Sequence, residues 1–296
     1  MAPSGSGMNP VSFPANATEP AARALLTGAS IEIAPRDDAG LAAACDLLPP
    51  GSAVFLPWIA GETHHRSVAA ARLLARAGLE PVPHVAARFL SGYTQLGDFL
   101  ARLSDEAGTR AAMLVGGDRD RALGALDSGL SALDTGLFAR HGFRRLCLPA
   151  YPEGNPRIDP ATLDAALRAK LARAAAQGIA TGIVTQFCFE AQPILDLVRR
   201  LRATGIAAPL RVGLAGPASL AALMKFALRC GVGNSVRALA LHGAAIARLT
   251  ATRDPSAVLE GFAAGVAAEP DLAPEGIHLF AFGGAARTAL WLRAQG

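Results

Sequence analysis

Aromatic side chains are scarce: Phe, Tyr and Trp make up 5% of the 296 residues. Positive charge is also thin. The 28 basic and 24 acidic residues leave a formal net charge of +4, and no Lys/Arg-rich run occurs. Proteins that hold nucleic acid need stacking platforms and a basic track, so a dedicated nucleic-acid binder is excluded. A small anionic ligand remains compatible. Only Lys170 and Lys225 are lysines. With so much alanine, this reads as coding bias rather than recognition chemistry. The four cysteines, Cys45, Cys147, Cys188 and Cys230, stand far apart with no C-x-x-C pair, which excludes a zinc ribbon and a thioredoxin-type motif. The opening residues lack a charged start followed by an apolar run, so no signal peptide is expected. The thiols are then read as reduced core residues of a cytoplasmic protein. No apolar stretch reaches the roughly 20 residues that cross a bilayer, and no membrane partner is expected. Also missing are G-x-G-x-x-G, a P-loop, G-x-S-x-G and a Ser/His/Asp signature.

What is present is apolar. Hydrophobic residues are 51% and charged residues 18%, enough for a large core and too apolar for a disordered chain. Residues 1–24 are read as a loose arm, because residues 1–20 are rich in Pro, Ser, Gly and Asn. The remainder, 25–296, is read as one domain. Eight short runs are apolar on both faces and end in Gly, Pro or polar residues: Ser30–Ala34, Ala53–Trp58, Pro81–Ala86, Ala111–Val115, Arg145–Pro149, Thr181–Phe187, Pro209–Leu214 and Ile277–Phe282. Such runs suit parallel strands covered by helices. Between them lie helical patterns. Ile194, Leu197, Val198 and Leu201 form one stripe before Gly205, and Val68–Ala77 ends at Gly78. The long gap after Leu214 has room for helices at Ala218–Cys230 and Ser235–Thr250. The fold class is α/β, and eight strand–helix units predict a (βα)8 TIM-type barrel, with a doubly wound sheet as the alternative.

A barrel places its chemistry at the C-terminal ends of its strands, and those ends supply the candidates. Glu32 lies within the apolar first strand, where a carboxylate is costly to bury unless solvated, paired or protonated. Inside the barrel mouth its pKa would rise, which suits a general acid. The other reading is an outward or salt-bridged glutamate. His84 follows the third strand's Pro83. Gly116-Gly117-Asp118 ends the fourth, and a plain turn competes with a ligand loop there. Tyr151 and Asn155 follow the fifth. Gln186 ends the sixth and offers a donor and an acceptor to a heterocycle, or a buried amide satisfied by the backbone. His64-His65 beside Glu62 have no third ligand nearby in sequence, so no metal site is expected. His242 and His278 are read as packing or surface residues.

Taken in order, these strand ends resemble the methylenetetrahydrofolate reductase family. The resemblance runs over residues 30–232, with a weaker tail to about 290. It rests on Ile31-Glu32-Ile33-Ala34-Pro35, Pro83-His84, Gly117-Asp118, Ala150-Tyr151-Pro152-Glu153 and Thr185-Gln186-Phe187-Cys188-Phe189-Glu190, continued by Gly205-Ile206, Pro209 and Gly213. The resemblance implies a barrel holding FAD and interconverting 5,10-methylenetetrahydrofolate and 5-methyltetrahydrofolate by hydride transfer with the flavin. It implies Glu32 as general acid and Asp118 as an electrostatic residue beside flavin and pterin. Gln186, Phe187 and Asp118 would contact the folate. His84, Gly117, Asp118, Tyr151, Asn155 and Lys170 would line the FAD site, with Asn155 standing where a His is common. NADH or NADPH is the reductant the family implies, and a homo-oligomer is compatible.

Three segments depart from the family pattern. The second strand end, usually with a Thr, is Leu56-Pro57-Trp58. The usual Pro-Gly-Ile-x-Pro is Val212-Gly213-Leu214-Ala215-Gly216-Pro217. The terminal Tyr-x-x-Asn-Arg has become Phe280-Ala281-Phe282-Gly283-Gly284. They point to a divergent branch in which NADH use is weak. The alternative is a flavin-free folate-binding or methyl-carrying barrel protein.

Overall fold

The computed structural model describes residues 20–59, 61–230, 232 and 252–295. Eight parallel strands close into a barrel in the order β1-β10-β7-β6-β5-β4-β3-β2. They are β1 (Ser30–Glu32), β2 (Ala53–Leu56), β3 (Glu80–Ala86), β4 (Ala111–Val115), β5 (Arg145–Ala150), β6 (Ala180–Thr185), β7 (Leu210–Ala215) and β10 (Gly276–Phe280). The chain is a TIM-type barrel, and each of the eight apolar runs supplies one strand.

The strands are apolar on both faces because both are covered. One face packs on the surrounding helices: α2 (Asp38–Leu47), α3 (His64–Arg76), α4 (Tyr93–Ala107), α7 (Pro160–Ala176), α8 (Ala191–Ala203), α10 (Ser256–Ala268) and α11 (Ala285–Gln295). The short helices α5 (Gly129–Asp134) and α6 (Leu137–Arg140) complete the unit between β4 and β5. The other face fills the barrel with Phe55, Val82, Ala111, Met113, Cys147 and Val184. At the N-terminal end, Arg145 and Arg211 converge on Glu275 at 2.6 and 3.2 Å. These ion pairs span the N-terminal end of the barrel.

Local chemistry sets the boundaries. Asp37, Thr63 and Asp159 accept from backbone N–H groups in the first turns of α2, α3 and α7, and Pro160 opens α7. The predicted stripe Ile194, Leu197, Val198 and Leu201 is buried on α8. Strand ends fall short of several predicted ones. β2 stops at Leu56 because Pro57 has no N–H to continue the ladder. β6 stops at Thr185, and only Cys188 returns to bridge Leu214. The helix expected over Ala218–Cys230 starts at Leu220 as α9. Ala218–Ser219 (β8) pairs instead with Thr252–Arg253 (β9) in a small antiparallel sheet. The helix expected over Ser235–Thr250 lies outside the described residues. So does the expected arm as far as residue 19. From Pro20 the chain is helical, as α1 (Pro20–Leu25), with Ala22 fully buried. Among the described residues no helix is long and apolar enough to cross a membrane.

Candidate functional site

Glu32 is the last residue of β1. Its register partners are Phe55 on β2 and Phe280 on β10. Strand alternation turns it into the mouth, where its side chain is 18% exposed. Two imidazoles meet it: His84 Nε2 lies 3.4 Å and His278 Nε2 3.9 Å from Glu32 Oε2. Ser30 Oγ lies 2.9 Å from His278 Nδ1. The Ser30 hydroxyl also reaches the Ile277 carbonyl at 3.4 Å, and the tautomer of His278 sets which partner donates in the Ser30–His278 bond. Phe55 packs edge-on between the rings, 6.3 Å from His84 and 4.5 Å from His278. The mouth thus holds a carboxylate on an apolar bed with two imidazoles at its edge.

His84 is neutral at physiological pH. Burial pushes its pKa down to about 4; Glu32 opposes the shift and His278 adds to it. The buried His84 Nε2 has no hydrogen-bond partner among the described residues, so its contact with Glu32 is close approach and not an ion pair. Glu32 is the mouth carboxylate anticipated from the sequence. His84 meets that carboxylate, whereas the resemblance had assigned it to FAD. His278 packs, as expected, but inside the barrel and against the reactive group. Ser30 and His278 were missed as site residues. The available signal was their even spacing from Glu32 and Phe280 along strands whose inward faces alternate.

The loops of β4 and β5 lie over the next sector. Gly117 has φ +93°, and a Cβ there would come within 3.0 Å of the Phe89 ring, so this position requires glycine. Asp118 is exposed. Its carbonyl accepts from Arg157 Nη1 at 3.3 Å, and the same nitrogen reaches Asp120 Oδ1 at 2.9 Å. No hydrogen bond or ion pair joins Asp118 to Glu32 or Gln186 among the described residues. Asn155 Oδ1 accepts from Arg157 N at 2.9 Å within its own turn. Tyr151 is half-buried, and burial raises its pKa. Lys170 on α7 packs beside Gly129 at the start of α5. Burial alone lowers its pKa to about 8.

On the opposite sector Gln186 Oε1 accepts from Phe187 N at 3.2 Å, which leaves its amide N–H groups as the available donors. Phe187 is fully buried. It packs 5.4 Å from Phe280, 4.9 Å from Phe282 and 5.6 Å from Phe189, so it supports the mouth from behind. Phe282 takes φ +48°, an uncommon conformation for a bulky residue, and stacks 4.4 Å from Phe226. This aromatic wall occupies the segment where the resembled pattern has Tyr and Arg.

A second aromatic group stands on the β2–β3 side. Trp58 follows β2 and is half-buried. Its ring lies 4.7 Å from His64, 6.0 Å from Phe89 and 6.2 Å from Phe99. The Arg119 guanidinium sits 5.5 Å from the Phe89 ring centre. His64 is an aromatic packing partner whose pKa burial pushes down to about 4, with His65 and Arg102 adding to the shift. His65 Nδ1 is 2.7 Å from Arg102 Nη1. The two adjacent histidines therefore point to different partners.

The residues that the resemblance assigns to FAD are spread over this geometry. Gly117, Tyr151 and Lys170 offer a surface without Cβ, a half-buried phenol and an amine held without an ion-pair partner among the described residues. His84, Asn155 and Asp118 are turned to Glu32, to a local turn and to solvent. The set does not form a flavin cradle as it stands.

No protein-family model matches the chain. Solved structures with similarity to it include a Clostridium thermocellum protein that binds two copies of 5-methyl-5,6,7,8-tetrahydrofolic acid. It is 13% identical, the match covers 89% of this chain and 95% of that one, and the TM-score is 0.54. A sugar phosphate isomerase/epimerase from Parabacteroides distasonis is 10% identical over 90% of this chain and 94% of its own, at a TM-score of 0.40. A xylose isomerase domain protein from Planctomyces limnophilus is 14% identical over 90% and 94%, at 0.36. What this chain shares with the Clostridium protein, at that identity, is its fold.

Proposed function

We propose that this barrel binds a reduced folate, a tetrahydrofolate derivative, at its C-terminal mouth, with Glu32 as the anchoring carboxylate. The observation that carries the reading is Glu32 itself, a carboxylate held on aromatic walls between two imidazoles. The amino-pyrimidine edge of a pterin presents parallel N–H donors that a carboxylate accepts as a pair, and such charge-assisted bonds are strong in a sheltered site. Gln186 adds amide donors for the pterin's carbonyl or ring nitrogens. The Clostridium barrel's methyltetrahydrofolate ligand supports the same ligand class. Its two bound copies make a stoichiometry above one worth measuring.

If the bound folate also reacts, Glu32 is the group to hold and give a proton. Flavin-free binding is the main reading. A flavin-dependent methylenetetrahydrofolate reductase is the second, favoured by one observation: Lys170, a desolvated amine suited to an anionic group.

The discriminating experiment is an absorption spectrum of the purified protein before and after loading with FAD, followed by equilibrium dialysis against 5-methyltetrahydrofolate. Saturable folate binding by a colourless protein that takes up no FAD supports the main reading. A stable flavin spectrum bleached anaerobically by 5-methyltetrahydrofolate establishes the second. Absence of folate binding in both forms rejects both.

A further inference from the structure

We infer that Trp58 and Phe89 form a ledge on the rim of the mouth on which the pterin ring of the bound folate lies. The inference rests on the folate-binding reading and adds a recognition surface to it. Trp58 stands two positions past the end of β2, the strand beside β1 and Glu32. It is half-buried, and it packs on Phe89 after β3, on His64 at the start of α3 and on the buried Phe99 of α4.

Trp58 packs at the edge of the main core cluster, and three details mark its place there. Trp291, the other tryptophan, is 1% exposed, whereas Trp58 keeps part of its ring open. The Trp58 indole N–H is buried and has no hydrogen-bond acceptor among the described residues. The Phe89 ring is fixed in place, with Gly117 pressed against one part of it and Arg119 near its centre. Aromatic faces and a guanidinium together recognise flat, polarisable heterocycles. The pyrimidine half of a tetrahydropterin is such a ring, and it would lie on the part of the Trp58 ring that stays open.

Tryptophan emission tests the ledge directly. The whole protein is titrated with 5-methyltetrahydrofolate, with 6-methyltetrahydropterin and with p-aminobenzoylglutamate. Trp58→Phe serves as the blank, since its remaining emission comes from Trp291. Equilibrium dialysis runs alongside. The expected result is saturable quenching by the first two ligands in the wild type, no saturable change in Trp58→Phe, and about tenfold weaker folate binding in Trp58→Ala. If Trp58→Ala fails to fold, the Trp58→Phe comparison still decides. Folate retained in dialysis with identical emission changes in both proteins overturns the ledge and leaves the folate reading standing. Quenching by p-aminobenzoylglutamate and not by the pterin overturns the assignment to the pterin ring. No retention of any of the three overturns the folate reading and the ledge together.

Discussion

His84 Nε2 lies 3.4 Å from Glu32 Oε2, yet burial keeps the imidazole neutral by pushing its pKa down to about 4. The carboxylate therefore stands beside a neutral ring. That relationship defines the acid response of the mouth.

Acid should destabilise the protein before its carboxylates protonate. His84 and His64 both have folded-state pKa values of about 4 against an ordinary value near 6.5. As pH falls, the unfolded chain takes up these protons first. Stability is thus full above about pH 6.5 and is lost as pH falls towards 4. The His84 shift corresponds to about 3 kcal/mol. Urea midpoints measured from pH 7.5 to 4 should fall over this window. They should fall less for His84→Gln.

Ser30→Ala should loosen the barrel interior. It removes the hydroxyl 2.9 Å from His278 Nδ1 and leaves a buried ring nitrogen without that partner. The expected cost is about 1–3 kcal/mol in chemical denaturation. A change below 0.3 kcal/mol would mean that the Ser30 bond contributes little.

The fold was legible in the residues because the pattern it depends on is local. Runs such as Ala111–Val115 are apolar on both faces, and glycines such as Gly78 and Gly205 mark where helices stop. Glu32 was legible for the same reason, as a carboxylate in an apolar strand at a strand end. His278 was not, because its partner Ser30 is 248 positions away and only barrel closure brings β10 beside β1. Trp58 stood out as a departure from a pattern, but its contacts with Phe89 and His64 depend on how neighbouring loops fold. Asp118 and Asn155 show the converse limit. Asp118 fits a motif by residue type and Asn155 only by position, while Arg157 draws both loops into a local network.

Gly117→Ala should cost about 1–3 kcal/mol. The position combines φ +93° with the Phe89 ring at 3.0 Å from any Cβ. A thermal melt lower by several degrees is expected. An unchanged melt would show that Phe89 and the loop yield freely.

Lys170→Met should stabilise the protein at pH 7. The amine is desolvated and its pKa is lowered to about 8, so its charged form is penalised in the folded state. Removing it should raise stability by about 1 kcal/mol or more. If Lys170 serves an anionic group, the more stable variant should also lose affinity for it. A gain in stability with unchanged ligand binding assigns the residue to packing alone.

The central claim is that Glu32 anchors a reduced folate. The most direct measurement is calorimetric titration of 5-methyltetrahydrofolate into the wild type and into Glu32→Gln, which keeps shape and removes charge. Saturable binding in the wild type, weakened about tenfold or more in Glu32→Gln at unchanged thermal stability, is the expected result. Equal affinity in the two proteins, or no binding by the wild type, would contradict it.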